Sequence, residues 1–285
     1  MKHIVSFSGG RTSAYLVHLM EQKRKNEGWD VEYVFCDTGA EHPKTYKFIR
    51  DVVENFGIKL TCIKGVIHPE LGKGTYYDIV NIDSIGWDLS VWNDMTEKYS
   101  NPCITSPFCT DRMKTTPLTK YLNDNHGKGG FTNWMGMRVD EPKRIKSKKG
   151  IRYLAEISDM DKNDILNWWS LKQFDLEIEE HLGNCVFCFK KSAGKLALAT
   201  KDEPQLMTEF NEMLSRPEVR DLSEKRGVPK NVIYRGNLTI SGIGKLYKDV
   251  ERNQLRQTLK FSKRLEGECS ESCEAFGQTD MIEEV

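Results

Sequence analysis

Apolar and polar residues follow one another along the first part of the chain in blocks whose period switches between two values. Residues 3–7, HIVSF, form a short apolar run of strand type, and in the segment behind them Ala14, Leu16, Val17, Leu19 and Met20 recur at helical spacing. A second run, VEYVFCD, leads into TGAEHPKTYKFIRDVVENFG, where Tyr46, Ile49, Val52, Val53 and Phe56 mark one helical face and Gly57 its end. The third run, IKLTCIKG, completes a β-α-β-α-β series. Such alternation predicts an α/β fold, a parallel sheet wrapped by helices that takes its ligands at the carboxyl ends of the strands. Ser8 and Asp37 both fall at such ends.

Farther along, residues 65–112 mix glycine, proline and tryptophan without a clear period and read as an irregular insertion beside the site, outside the sheet. Regular patterning then returns: LTKYLND is helical, FTNWMGM and IRYLAEI are strand-like, and DKNDILNWWSLKQF carries an N-terminal cap and helical spacing. Past Leu182 the character changes. Residues 192–263 are mainly helical by pattern, with GKLYKDVERNQLRQTLKFSKRL reading as one long helix. Three parts are expected: an α/β domain over 1–182, a helical region over 183–264, and a tail over 265–285. The tail is acidic, has no Lys or Arg, and is expected to be mobile or ordered only by a ligand.

Charge narrows the partners. Lys plus Arg and Asp plus Glu each total 42 in 285 residues, so no global field pulls the protein toward nucleic acid or a membrane. No apolar run approaches the roughly 18 residues of a spanning helix, and the first twenty residues lack the pattern of a signal peptide, so a cytoplasmic protein is expected. In that compartment eight cysteines read as metal ligands, reactive thiols or core residues, not as a disulfide framework. Cys36 and Cys62 lie in strand runs and read as small hydrophobes. Six remain: Cys103, Cys109, Cys185, Cys188, Cys269 and Cys273.

The junction at residues 8–13, SGGRTS, hands a strand to a helix through two glycines. Glycine permits positive φ and close approach to the backbone, and the unpaired N–H groups of a first helical turn attract anions, phosphate above all. Gly9 and Gly10 with the hydroxyls of Ser8, Thr12 and Ser13 therefore suit a phosphate chain. An ordinary tight turn with a hydroxyl cap has the same local signature. At the next strand end Asp37, Thr38, Gly39 and Glu41 offer groups for the rest of a nucleotide, Asp37 as a carboxylate for a ribose hydroxyl or Mg²⁺, while for Glu41 the alternative is an acidic cap of the helix that follows.

The strand-end combination resembles the phosphoadenosine-phosphosulfate reductase family and its adenine nucleotide alpha-hydrolase relatives with an ATP-pyrophosphatase loop. FCTDRMKTTPL is similar to that family's cysteine, Arg, Lys, Pro, Leu segment, MGMRVDEPKR to its Gly-x-Arg-x-Asp-Glu segment, and GNCVFCFKKS to its cysteine pair with trailing lysines. Five segments in order span residues 3–192. The resemblance implies a Rossmann-like alpha-hydrolase core and a site binding ATP or phosphoadenosine phosphosulfate. It brings Arg112, Lys114 and Gly136 to the nucleotide, and Arg138 with Asp140 and Glu141 to phosphate or sulfate in two-point fashion. Arg11 departs from the acidic residue common in these loops; a cation there favours an anion and removes a Mg²⁺ contact, and solvent exposure is the alternative.

Cys185 and Cys188 lie one turn apart, suiting one metal ion or a corner of an iron-sulfur cluster. Cys109 is the third ligand implied by the resemblance. The family's reductases carry two adjacent cysteines there, whereas this chain has Phe108 before Cys109. Either Cys103 completes a closed four-thiolate 4Fe-4S cage, or one iron stays open for sulfide or substrate; zinc is the alternative metal. Lys190, Lys191 and Lys195 would stabilise an anionic cluster or nucleotide. In the tail, GECSESCEAF has the Glu268 and Cys269 of the family's catalytic segment without its Gly and His, and acidic surroundings raise a thiol's pKa unless the tail docks against cations.

Three functions compete. One is reduction of a sulfated adenine nucleotide to sulfite by Cys269 with Arg138 and Asp140, drawing on a thiol reductant. Another is ATP-dependent sulfur transfer from a donor protein to a nucleobase or DNA, for which the basic run Lys143, Arg144, Lys146, Lys148, Lys149 and Arg152 offers a backbone track or a plain solvated hairpin. The third is a non-catalytic nucleotide sensor on the same fold.

Overall fold

Six strands form one sheet in the order β4-β3-β2-β1-β5-β6, built from β1 (Lys2–Ser6), β2 (Val31–Asp37), β3 (Leu60–Ile67), β4 (Thr75–Val80), β5 (Phe131–Met135) and β6 (Ile151–Tyr153). All neighbours are parallel except β3 and β4. The computed structural model describes residues 1–262. Cys269, Cys273 and the whole expected tail lie outside the described residues.

Side chains alternate across the sheet. On one face Val5, Tyr33, Phe35 and Trp134 pack under α1 (Arg11–Glu27), α2 (Pro43–Phe56) and, through Trp169, α5 (Lys162–Ser170). On the other face Ile4, Val34 and Ile63 meet Leu118 and Leu122 of α4 (Thr116–His126). The expected series from β1 to β3 is therefore present. Local signals close its helices: Pro43 opens α2 behind the His42 cap, while Gly28 and Gly57 end α1 and α2 at positive φ, 70° and 63°.

Residues 65–112 are not an irregular insertion. They contain β4, which pairs antiparallel with β3 along six registered positions, and α3 (Ser90–Tyr99). The period of β4 is weak because this edge strand buries little: Tyr76 and Ile79, three positions apart and so on opposite faces, are both exposed, and no alternation results. Behind the sheet lie α6 (Ala193–Asp202), α7 (Pro204–Ser215), α8 (Ser223–Arg226), α9 (Ile240–Leu246) and α10 (Arg252–Ser262). The single long helix expected here is two, broken between Leu246 and Arg252. Tyr247 and Val250 turn into the apolar cluster of Phe187, Phe210 and Ile240, and Arg252 turns onto Asp202 and Glu179.

Within the sheet the chain first builds outward from β1 through β2 and β3, then crosses back to lay β5 on the other side of β1. The order reverses between β1 and β5. A crevice opens there, outside the carboxyl ends of the strands.

Candidate functional site

The loop leaving β1 lines that crevice. Gly9 has φ +80°, and a Cβ on it would stand 2.9 Å from Thr45 Cγ2 and 3.0 Å from Ile49 Cδ1, so the sequence needs glycine here for both conformation and space. Gly10 is the N-cap of α1 and offers no side-chain cap to the first turn. Ser13 Oγ folds back, accepting from the Ser8 N–H at 3.2 Å and donating to the Gly10 carbonyl at 3.0 Å, and its hydroxyl meets that of Ser8 at 2.9 Å. The corner is held by its own hydroxyls. Its helix N-terminus is left to a ligand or to water.

From the loop after β5, behind Gly136, comes Arg138. Its guanidinium is buried, donates from Nη1 to Thr12 Oγ1 at 3.1 Å, and grips both oxygens of Asp140 from Nε and Nη2 at 2.8 and 3.0 Å. Burial alone would drive the Asp140 carboxyl upward; the Arg138 fork outweighs it and holds the acid below its usual range. Glu141 accepts from the Arg138 N–H at 3.2 Å and also pairs with Arg144. The two expected segments therefore meet across the crevice, 126 residues apart in sequence.

Arg11 has a different role from either expectation. Its Nε and Nη2 bind the two carboxylate oxygens of Asp175 at 2.7 and 3.0 Å, and its carbonyl accepts from Trp169 Nε1 at 3.0 Å. It is neither solvent-exposed nor turned wholly to an anion: it straps the segment behind α5 over the mouth of the corner. Asp175 carries no local signal of this, because its partner is 164 residues away.

At the end of β2 a buried acid cluster forms. Asp37 Oδ1 accepts from the Gly39 N–H at 2.9 Å and from the Tyr46 hydroxyl at 3.0 Å. Glu41, read in sequence as a helix cap, is buried instead, and the cap of α2 is His42, whose Nδ1 accepts from the Lys44 N–H. Glu41 Oε2 takes the Thr38 hydroxyl at 2.7 Å and the Tyr46 hydroxyl at 3.0 Å, while Oε1 pairs with Lys114 Nζ at 3.2 Å. Burial, reinforced by the Glu41 charge, pushes the Asp37 carboxyl up to about 6. The same burial would raise Glu41, but the Lys114 ammonium and the two hydroxyls more than reverse it, so Glu41 ionises before Asp37 as pH rises. The link between Glu41 and Tyr46 was not legible in sequence, since the helical period assigns Tyr46 to the core face. A charge three residues behind Thr38 and one turn before that tyrosine was the available signal.

Arg112, by contrast, lies off this cluster, paired with Asp111 at 3.0 Å and stacked over Tyr99 at 5.0 Å. The hairpin cations expected as a track are partly committed, Arg144 to Glu141 and Arg152 to Glu156.

The turn at residues 185–188 docks on the end of β2. Glu41 and Cys185 form an antiparallel bridge, the Val186 N–H donates to the Ala40 carbonyl at 2.9 Å, and Cys185 Sγ stands 3.7 Å from Thr38 Oγ1. Lys191 Nζ is buried, donating to the carbonyls of His181 at 2.7 Å and Val186 at 2.9 Å. Burial draws its ammonium down to about 8, against the pull of the Cys188 and Cys185 thiols. Lys195 reaches Glu180 at 3.2 Å. Cys103 is buried with Sγ 3.3 Å from Thr105 Oγ1, and Cys109 is half-buried against the same apolar cluster as Cys185. Among the described residues no three His, Cys, Asp or Glu side chains stand together as a metal site. Cys36 and Cys62 are buried strand residues as expected, their thiols pushed up to about 12 by burial. No helix among the described residues is long and apolar enough to cross a membrane.

Relatives share this chain at two ranges. It is similar to the uncharacterized nin region protein ORF290 of Escherichia phage lambda, 51% identical over 281 residues, 97% of this chain and 96% of that one. It is also similar to the uncharacterized protein MJ0066 of Methanocaldococcus jannaschii, 23% identical over 246 residues covering 82% of this chain and 44% of that protein. A phosphoadenosine 5'-phosphosulfate reductase of Zymomonas mobilis is 24% identical over 179 residues, 61% of this chain and 62% of its own. The family model described as phosphoadenosine phosphosulfate reductase domain matches residues 2–182, the span that holds the corner, the acid cluster and Arg138. The chain belongs to the phosphoadenosine phosphosulfate reductase domain family, with its adenine nucleotide alpha-hydrolase-like core.

Proposed function

We propose that the protein is an adenine-nucleotide-binding enzyme of sulfur chemistry that takes ATP or a sulfonucleotide with its anionic chain on the corner at residues 8–13. The observation that carries this reading is the uncapped first turn of α1 beside a buried guanidinium: Arg138 reaches Thr12 from the opposite strand end, so backbone N–H groups and one fixed cation converge at the switch point. Family membership of that span supports the same ligand class. Thr38 and Gly39 border the site, and Asp37 shapes it from beneath through the Gly39 N–H.

Two reactions fit such a pocket. In the reductive one, a thiolate bonds to the sulfur of the sulfonucleotide as its S–O bond breaks, phosphoadenosine phosphate leaves with the electron pair, and a second thiol releases sulfite as a disulfide forms. Cys269 is the proposed nucleophile, and an external thiol reductant restores it. In the second, an acceptor oxygen attacks the α phosphorus of ATP and pyrophosphate leaves; the terminal sulfur of a persulfide supplied by a donor protein then attacks the adenylated acceptor, AMP leaves, and a second thiol frees the thiolated product as a disulfide forms. The Cys185 thiol, 3.7 Å from the Thr38 hydroxyl at the carboxyl end of β2, supports this second reading, since a thiol there can receive the persulfide sulfur of a donor protein beside the proposed nucleotide site.

Incubating the purified protein and a thiol reductant with ATP or with phosphoadenosine phosphosulfate, and following AMP, pyrophosphate and sulfite, separates them. Sulfite from the sulfonucleotide selects the reductase; AMP with pyrophosphate from ATP selects sulfur transfer. Absence of both products together with no adenylate binding would overturn the assignment.

A further inference from the structure

The segment behind α5 leaves little room over the corner. The space against residues 8–11 is about 10 Å³, enough for one water and too small for a phosphate group, and its far wall includes Leu176, Ile178, Glu179 and Glu180. Glu41 lines the same space. An anion reaching the first turn of α1 would therefore stand among three carboxyl groups. The corner supplies donors for an anion, and the segment covering it supplies the opposite charge.

That segment is anchored at one point and tied elsewhere by charge. Leu176, 3% exposed, sits in the apolar cluster with Trp169. Beyond it, backbone bonds run within the segment itself, from the N–H of Ile178 to Leu176, of Leu182 to Glu179 and of Gly183 to Glu180. Ion pairs link it to its surroundings: Glu179 meets Arg252 at 2.9 Å and Arg256 at 3.0 Å on α10, while Glu180 meets Lys162 of α5 at 2.7 Å and Lys195 of α6 at 3.2 Å. Those four cations lie outside the corner. Asp175 instead holds a residue of the corner, since both its oxygens take the Arg11 fork and Arg11 Nη2 also donates to the Leu176 carbonyl. A carboxylate bound at two points by a guanidinium occupies it as a phosphate would. Arg11 opens α1, beside the N–H groups that face an incoming anion.

We propose that Asp175 is an internal stand-in for the ligand's anion: it holds the Arg11 fork and keeps residues 175–184 over the corner until a phosphate group of the ligand takes Arg11 from it. Replacing one anion by another conserves the two hydrogen bonds of the fork, so the balance is set by the ligand's remaining contacts with the corner. That the ligand is a nucleotide rests on the reading above; the exchange on Arg11 requires a phosphate-type anion and no more.

Asp175→Asn tests it, because it keeps an acceptor for the Leu176 N–H and removes the charge that competes for Arg11. Glu177→Gln, in the same segment and exposed, makes the same change of net charge and is the control. In calorimetric titration of the full-length protein with ATP and with inorganic pyrophosphate, Asp175→Asn is expected to bind at least about fivefold more tightly than wild type, and Glu177→Gln within about twofold of it. The gain should vanish when Arg11→Gln/Asp175→Asn is compared with Arg11→Gln alone. Without ligand, amide hydrogen exchange across residues 176–184 should be at least about threefold faster in Asp175→Asn, with exchange in α4 unchanged. Equal or weaker binding by Asp175→Asn, a gain that survives without Arg11, or unchanged exchange across 176–184 overturns the proposal. An equal gain in Glu177→Gln overturns it in favour of charge alone. If pyrophosphate behaves as expected while ATP binds neither wild type nor variant, the nucleotide reading falls and the exchange on Arg11 stands; if neither anion binds any of these proteins, both fall.

Discussion

The glycine corner and the cysteine segments are the two chemically charged parts of this molecule, and they are built in opposite ways. At the corner, function is written in the backbone: Gly9 needs its positive φ, Gly10 begins α1, and Ser13 bonds to groups three and five residues away. Such a site forms with its own local fold. The cysteines come from segments about 80 residues apart in sequence, and Cys185 reaches the end of β2 only because the turn at 185–188 docks against Ala40 and Glu41. A site of local hydrogen bonds is pre-organised; a site of side chains from distant segments depends on whatever holds those segments down.

Lys114 sits where the two regions join, so removing it should have the largest effect. Lys114→Met leaves the buried Glu41 carboxylate without its cation and is expected to cost about 3–5 kcal/mol in urea unfolding. The double variant Lys114→Met/Glu41→Gln should recover most of it. A neutral single variant would break the link between cluster and cysteine turn.

Next comes the corner itself. Gly9→Ala forces a Cβ into positive φ and against Thr45 and Ile49, and the two penalties together are expected to cost about 2–4 kcal/mol. Adenylate affinity, read by calorimetric titration, should fall at least tenfold. Retained affinity in the folded variant would show that the backbone does not set the site.

Acid titration sharpens the comparison further. The folded Asp37 carboxyl ionises at about 6, above its unfolded range near 4. Between those values the folded state holds the extra proton, so this group's contribution to stability falls as pH rises from 4 to 6. Asp37→Asn keeps the acceptor for Gly39 and Tyr46 and removes the titration. Its stability relative to wild type should therefore climb by about 2–3 kcal/mol from pH 4 to pH 7. A flat difference would mean that Asp37 is ionised throughout.

Cys185→Ser is expected to have the smallest effect on the fold, below about 1 kcal/mol by thermal melting, because the turn is held by backbone bonds to Ala40. Under the sulfur-transfer reading its product yield should nevertheless collapse. A large stability loss would make the cysteine a packing residue and erase the contrast between the two regions.

What could be read in advance follows the same division. The β-α-β-α-β series, the corner, the strand positions of Cys36 and Cys62 and the ends of α2 all depend on neighbours within one element, and period, glycine and cap report on them directly. Arg11 was misjudged because Asp175 lies far along the chain, and Glu41 because a carboxylate before a helix looks like a cap until Lys114 is brought to it. β4 escaped notice because an edge strand buries too little to show an alternating pattern.

By itself the sequence determined which backbone turns are required and where a helix begins behind glycine without a side-chain cap, since steric limits on φ and the helical period act over a few residues. Only the tertiary structure decided which charges are buried together, which acid ionises first, and how near the Cys185 thiol comes to the carboxyl end of β2. Those outcomes depend on desolvation and on distances between segments, and neither exists until the sheet has closed and the helical region has packed against it.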